Sequence, residues 1–192
     1  MSMEKLKKDF SLLREHCIAI RRDYNTYTRL FNEENRDLLS KVAARFFTDV
    51  AEIMQRDWML QVCKIMDPAS TKYKNKISEN ITLSLIDEQL VSNGLSNQSI
   101  DDLSAKMKLY GEKIKPARHK RLAHYDRDHQ VNGITLGETT DEELHEFLLN
   151  IQRYCDEAGI AIGVGPLEFS GSGCQGDVLD FLKFLRGNER NT

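Results

Sequence analysis

Between Glu112 and Arg127 the chain reads EKIKPARHKRLAHYDR, and this window concentrates the side chains best suited to phosphate chemistry. Lys113, Lys115, Arg118, Lys120, Arg121 and Arg127 stand against only Glu112 and Asp126, a formal +4, and His119 and His124 lie among them. Guanidinium groups grip a phosphate bidentately and stabilise the charge that grows on it in a transition state. An imidazole titrating near neutrality can move the protons that such a reaction transfers. The other reading of the same residues is a solvated cationic helix face with His124 packed in the core, and spacing alone favours that reading over catalysis. The net charge of the whole chain is -3, so the rest of it sums to about -7. That balance excludes a uniformly basic nucleic-acid coat and leaves a local patch.

The elements that must position these residues follow from periodicity. The chain has 192 residues, 40% of them hydrophobic and 30% charged, with three prolines and 11 glycines. Leu6, Phe10, Leu13, Cys17, Ile20, Tyr24, Tyr27 and Phe31 recur at steps of four and three, which predicts a long first helix. Leu39, Val42, Phe46, Val50, Ile53, Met54, Trp58, Val62 and Ile65 predict a second, from about Glu34 to Met66, stopped by Asp67-Pro68. The stretch from Ala69 to Glu79 reads as a surface loop, with Asn80 capping a short helix that carries Leu83, Leu85, Ile86 and Leu90 and ends at Asn93-Gly94. Ser99 reads as the cap of a fourth helix, whose stripe of Leu103, Met107, Tyr110, Ile114 and Ala117 leads in phase into Arg121 and His124. Pro116 lies within that helix. Thr140-Asp-Glu-Glu143 predicts a capping box for a fifth helix stopped by Gly159, and a Gly-rich stretch then precedes a last helix with Val178, Leu179, Phe181, Leu182 and Leu185. With no run of alternating strands, the expected fold is an all-α bundle of long antiparallel helices with a short C-terminal helical accessory region. Residues 1–159 form its helical domain, and 160–192 pack on it or extend it.

Other signals exclude more than they assign. Cys17, Cys63, Cys155 and Cys174 are widely spaced, and His119, His124 and His129, five apart, turn about 140° from one another on a helix; no metal site is expected. Gly171-Ser-Gly173-Cys-Gln-Gly176 is a formal GxGxxG, but no βαβ unit accompanies it and the acidic residue expected roughly 20 positions later is missing, so no cofactor is expected. Asp141, Glu142, Glu143 and Glu146 fit dipole complementarity better than catalysis. The N-terminal residues lack the apolar region of a secretory signal and no run of roughly 18 apolar residues occurs, so a cytoplasmic protein with no membrane association is expected.

Arg118-His119 followed by His124 resembles the Arg-x4–6-His signature of the HEPN domains, and His119 suits the polar position after the arginine. Trp58, Asp67-Pro68-Ala69, Asn80 and Leu83-Ser84-Leu85, closed by Ala123-His124-Tyr125-Asp126, resemble the abortive-infection AbiU-type branch, over roughly Phe46 to Arg127. The resemblance implies a HEPN-like helical bundle that forms a homodimer with a composite cleft, and a metal-independent endoribonuclease serving as a toxin or in anti-phage defence. It also implies the alternative, a non-catalytic RNA- or protein-binding module, such as an immunity or toxin–antitoxin partner; an antitoxin or a nucleotidyltransferase are the implied partners. Under it, His124 and His119 join Arg118 as catalytic residues. Arg118 would stabilise the scissile phosphate, and His124 would activate the ribose 2′-OH or protonate the leaving oxygen. Lys115, Lys120 and Arg127 would steer RNA; Arg121 is either a phosphate ligand or a salt-bridged surface residue; Asp126 orients a histidine or pairs with a neighbouring cation.

Overall fold

The computed structural model describes residues 2–74, 76–118, 139–171 and 174–189. Among these are six helices and one hairpin: α1 (Met3–Leu30), α2 (Glu33–Ile65), β1 (Ser70–Tyr73), β2 (Lys76–Glu79), α3 (Leu83–Ser92), α4 (Gln98–Ala117), α5 (Asp141–Ala161) and α6 (Val178–Glu189). The fold is all-α, a HEPN-like bundle.

The stripe on α1 is buried over its first five positions, with Leu6, Phe10, Leu13, Cys17 and Ile20 fully enclosed, while Tyr24, Tyr27 and Phe31 are half-buried. Only Phe31 and Asn32 separate α1 from α2, so the two run antiparallel. Their side-chain bonds descend in matching register: His16 meets Gln61, the Trp58 indole N–H donates to the Ile20 carbonyl at 3.1 Å, and Gln55 bonds Tyr27. Cys63, Ile65, the apolar face of α3, Met107 and Tyr110 on α4, and Phe147, Ile151 and Tyr154 on α5 complete the main core. A second, smaller core joins Leu30, Leu38, Leu39 and Phe47 to Val178, Leu182 and Leu185 of α6. Asp87 ties three helices together, accepting from Ser104, from Lys108 at 2.6 Å and from Tyr154 at 2.8 Å.

Five expectations are corrected. The middle of α2 does not form one buried face: Ala43 leaves helical geometry (φ -167°, ψ 74°), which shifts the phase. Phe47 is buried in consequence, while Val42, Phe46 and Ile53 are exposed. Ser70–Tyr73 and Lys76–Glu79 are the two strands of an antiparallel hairpin, where a loop was expected. Asn80 does not cap α3; Thr82 does, its hydroxyl accepting from the Leu85 N–H, and Asn80 instead binds the base of the hairpin. Asn97, not Ser99, caps α4, because its amide oxygen accepts from Ile100 N–H at 3.0 Å. Helix α5 continues past Gly159 to Ala161 and turns at Gly163, whose φ of +74° suits glycine. The capping box of Thr140 and Glu143 is present in full.

Candidate functional site

Every position of the α4 stripe from Leu103 to Ala117 is buried, so the helix is held firmly along its length and Arg118 emerges at its fixed end. Gly111 brings α4 close to the end of α2: a Cβ there would lie 2.7 Å from Met66 Cγ. Met66 caps α2, its N–H donating to the Cys63 and Lys64 carbonyls, and the chain turns out through Asp67. The Asp67 carboxylate thereby faces Arg118. The guanidinium grips it bidentately, through Nη1 to Oδ1 and through Nη2 to Oδ2 at 3.1 Å. Asp67 engages two of the five guanidinium N–H donors.

The pair is only partly screened by water, with side chains 25% and 31% exposed. The hydrogen bond that Arg118 donates to Asp67 raises the Arg118 pKa further, against a smaller opposing effect of burial. Burial pushes the neighbouring Cys63 thiol up, and the positive charge of Arg118 pulls it the other way. Cys63, Met66, Asp67, Gly111, Glu112, Lys115 and Arg118 line a shallow cleft around the pair. A fixed, fully charged guanidinium at the rim of such a cleft can hold a phosphate oxygen or serve as a structural clamp between helices.

Of the residues singled out in the sequence, Arg118 and Lys115 are described and share this cleft. Lys115 is exposed and pairs with Glu112 one turn before it, at 2.9 Å. His119, Lys120, Arg121, His124, Asp126 and Arg127 lie outside the described residues. Lys113 pairs with Glu143 in the first turn of α5 and Lys106 reaches Glu146 in the next at 3.9 Å, so cations of α4 as well as the capping box engage the acidic start of α5. Among the described residues no three His, Cys, Asp or Glu side chains come together as a metal site would require. At the Gly-rich segment, Asp177 accepts from Leu179 and Asp180 N–H at the start of α6, and so fills with a carboxylate the place an anion would take. No described helix is long and apolar enough to cross a membrane.

Asp67 and Gly111 are the site residues that sequence reasoning missed. Asp67 was visible as half of a helix-stop dipeptide and as part of the Asp67-Pro68-Ala69 run, but not as the partner of Arg118, which is 51 residues away. The other residues of the resemblance also gain physical roles. Trp58 pins α2 to α1, Asn80 donates to Pro68 O and Thr71 Oγ1 just beyond Asp67, and Leu83 and Leu85 seat α3 in the core. They brace the corner from which Asp67 reaches Arg118.

The helical bundle, with Arg118 at the end of α4, is HEPN-like. The model of the AbiU2 family of HEPN domains matches residues 3–181, and the chain belongs to that family. The match extends well beyond Phe46 to Arg127 at both ends and takes in the Gly-rich segment and the start of α6. The family defines an abortive-infection HEPN-type domain. Comparison with curated proteins and with solved structures returned no match.

Proposed function

We propose that the protein is a metal-independent endoribonuclease of HEPN type that acts as a toxin or in anti-phage defence. The observation that carries this reading is the Arg118–Asp67 clamp: a permanently charged guanidinium, fixed in direction at the rim of a cleft, in a chain of the HEPN AbiU2 family. In the proposed reaction His124 takes the proton from a ribose 2′-OH, O2′ attacks the adjacent phosphorus, and the P–O5′ bond breaks. The leaving O5′ is protonated, which yields a 2′,3′-cyclic phosphate and a 5′-hydroxyl. Arg118 stabilises the extra negative charge on the phosphoryl oxygens in the transition state. His119 supports the proton transfers; Lys115, Lys120, Arg121 and Arg127 hold the strand; Asp126 orients a histidine. Two copies of the chain contribute to one composite cleft. The nucleophile belongs to the substrate, so DNA resists.

The test is cleavage of labelled RNA in EDTA by the wild type, Arg118→Ala and His124→Ala. Each variant is expected to lose about 10²–10³ in rate. Equal cleavage by all three, or none by the wild type on any RNA tried, refutes the catalytic reading. One observation favours a second reading, a non-catalytic RNA- or protein-binding module: Asp67 already neutralises Arg118, as a purely structural ion pair would. RNA binding without cleavage would identify that case.

A further inference from the structure

The hairpin that follows Asp67 stands out from the rest of the molecule. All eight strand residues are exposed, and the segment from Ala69 to Ser78 holds Lys72, Lys74 and Lys76 with no acidic residue. Its root is fastened. Asn80 N–H donates to Ala69 O at 2.8 Å, the Asn80 side chain to Pro68 O and Thr71 Oγ1, and Lys5 pairs with Glu79 at 2.9 Å. Towards the turn it carries Tyr73, 73% exposed, and Ile77, 67% exposed.

The register divides these residues between two faces. Strand residues alternate in direction and directly paired residues share a face. Tyr73 pairs with Lys76 and Thr71 with Ser78, so these four stand together; Lys72 and Ile77 stand opposite with Ser70 and Glu79. Lys74, in the turn with a left-handed φ of 51°, brings its ammonium to 5.5 Å from the Tyr73 ring centre. One face therefore presents an open aromatic ring between two cations. Lysines alone would fit the ordinary protection of an exposed strand edge. A tyrosine ring left in water at the same place does not serve that purpose.

The charge around Arg118 sharpens the contrast. Lys113, Lys115 and Arg118 each have a carboxylate partner. Among the described residues no carboxylate pairs with Lys72, Lys74 or Lys76. The hairpin lysines, unlike the described cations around Arg118, thus have no carboxylate partner among the described residues, and Tyr73 is only six residues from Asp67, at most ~20 Å along the chain.

We infer that this hairpin is an arm for single-stranded RNA, with a base stacked on Tyr73 and its flanking phosphates held by Lys74 and Lys76. Single-strand binders combine those two elements, since every base offers a face for stacking. The choice of RNA as ligand rests on the ribonuclease reading; the arm's geometry does not. The inference is tested by fluorescence anisotropy of the full chain with a labelled 2′-O-methyl RNA of roughly 12 mixed nucleotides, which has no 2′-OH to attack. Tyr73→Ala is expected to weaken binding about tenfold. Lys74→Ala/Lys76→Ala is expected to lower the slope of log affinity against log salt by about 1.4. Tyr73→Ala should leave binding to duplex RNA unchanged, because stacked bases offer no face, and Ile77→Thr on the opposite face should leave both unchanged. Binding by the Tyr73 and lysine variants within about twofold of wild type overturns the arm. So does a wild type that does not bind, or an equal loss in Ile77→Thr. Cleavage of unmodified RNA, run in parallel, keeps the two ideas apart: an intact binding dependence without cleavage removes the nuclease and leaves the arm, and cleavage indifferent to the hairpin does the reverse.

Discussion

Replacing Asp67 by Asn preserves shape while removing the charge that Arg118 grips. Both side chains are less than a third exposed, so the pair lies between a solvated ion pair, at 0.2–1 kcal/mol, and a fully buried one, whose rupture costs about 3–5 kcal/mol. Two parallel charge-assisted bonds put the expected coupling at about 1–2 kcal/mol. In a chain of this length that lowers Tm by about 3–6 °C. A double-mutant cycle of Asp67→Asn, Arg118→Gln and the pair, followed by urea unfolding, isolates the coupling from the separate effects of each change. The same three proteins assayed for RNA cleavage at 25 °C, where all remain folded, separate stability from positioning. Asp67→Asn leaves Arg118 charged but free to rotate, so kcat should fall about tenfold with KM little changed, far less than for loss of the arginine itself. A coupling energy near zero would refute the clamp. So would Asp67→Asn cleaving at the wild-type rate, because an orientation that costs nothing to lose was not being used.

Two further consequences can be measured without RNA. A Cβ on Gly159 would lie 2.5 Å from the Gly165 carbonyl oxygen, a backbone atom that cannot swing aside, while Val164 and Gly165 N–H both donate to the Gly159 carbonyl. Gly159→Ala should therefore cost about 2 kcal/mol in urea unfolding, and an unchanged midpoint would mean that the turn after α5 is not packed as described. Tyr154 is fully buried, and desolvation, with the adjacent Asp87 charge next, raises its pKa well above 10.0. The folded chain then keeps a proton that the unfolded chain releases, so this contribution to stability is complete below pH ~10 and is lost as pH rises through the folded-state pKa. Tyr154→Phe should be less stable at pH 8, having lost its bond to Asp87, yet fall less steeply between pH 9 and 11; parallel curves would contradict this assignment.

The elements legible in the sequence are those whose burial is continuous. The α1 stripe from Leu6 to Ile20 and the α4 stripe from Leu103 to Ala117 combine helical spacing with an unbroken partner surface, which periodicity reports directly, and the capping box of Thr140 is legible from residue type and spacing. The centre of α2 has the same spacing without the partner. Val42, Phe46 and Ile53 repeat as core residues do, but the departure of Ala43 from helical geometry turns Phe47 inward in place of Phe46. Pattern alone carries no sign of such a break, since alanine is the best of helix formers. The hairpin was invisible for the opposite reason. With both faces in water its strands need no alternation of polar and apolar residues, and Lys74-Asn75 lacks the Asn-Gly signature of a tight turn. The site was half legible: Arg118 stood out by type and spacing, whereas Asp67 and Gly111 matter only because α2 and α4 cross where they do.

That crossing also changes what the charge arithmetic means. Summed along the sequence, residues 112–127 carry +4 in a chain of -3, which places the attraction for a phosphate backbone on the signature helix. Summed over partners in space, the described cations of that window are already matched: Lys113 by Glu143, Lys115 by Glu112 and Arg118 by Asp67. Matched charges at contact distance leave little field beyond a Debye length of about 8 Å. The three lysines of the hairpin, whose one acidic strand neighbour, Glu79, pairs with Lys5, retain theirs. Among the described cations near the clamp, those of the hairpin would then act on an approaching strand first, by electrostatics, and Arg118 second, by contact. On that account, lysine-to-alanine changes at 74 and 76 alter the salt dependence of association, while Asp67→Asn alters the rate of the bound complex. Encounter and chemistry would belong to different elements of the fold, joined by the six residues from Asp67 to Tyr73.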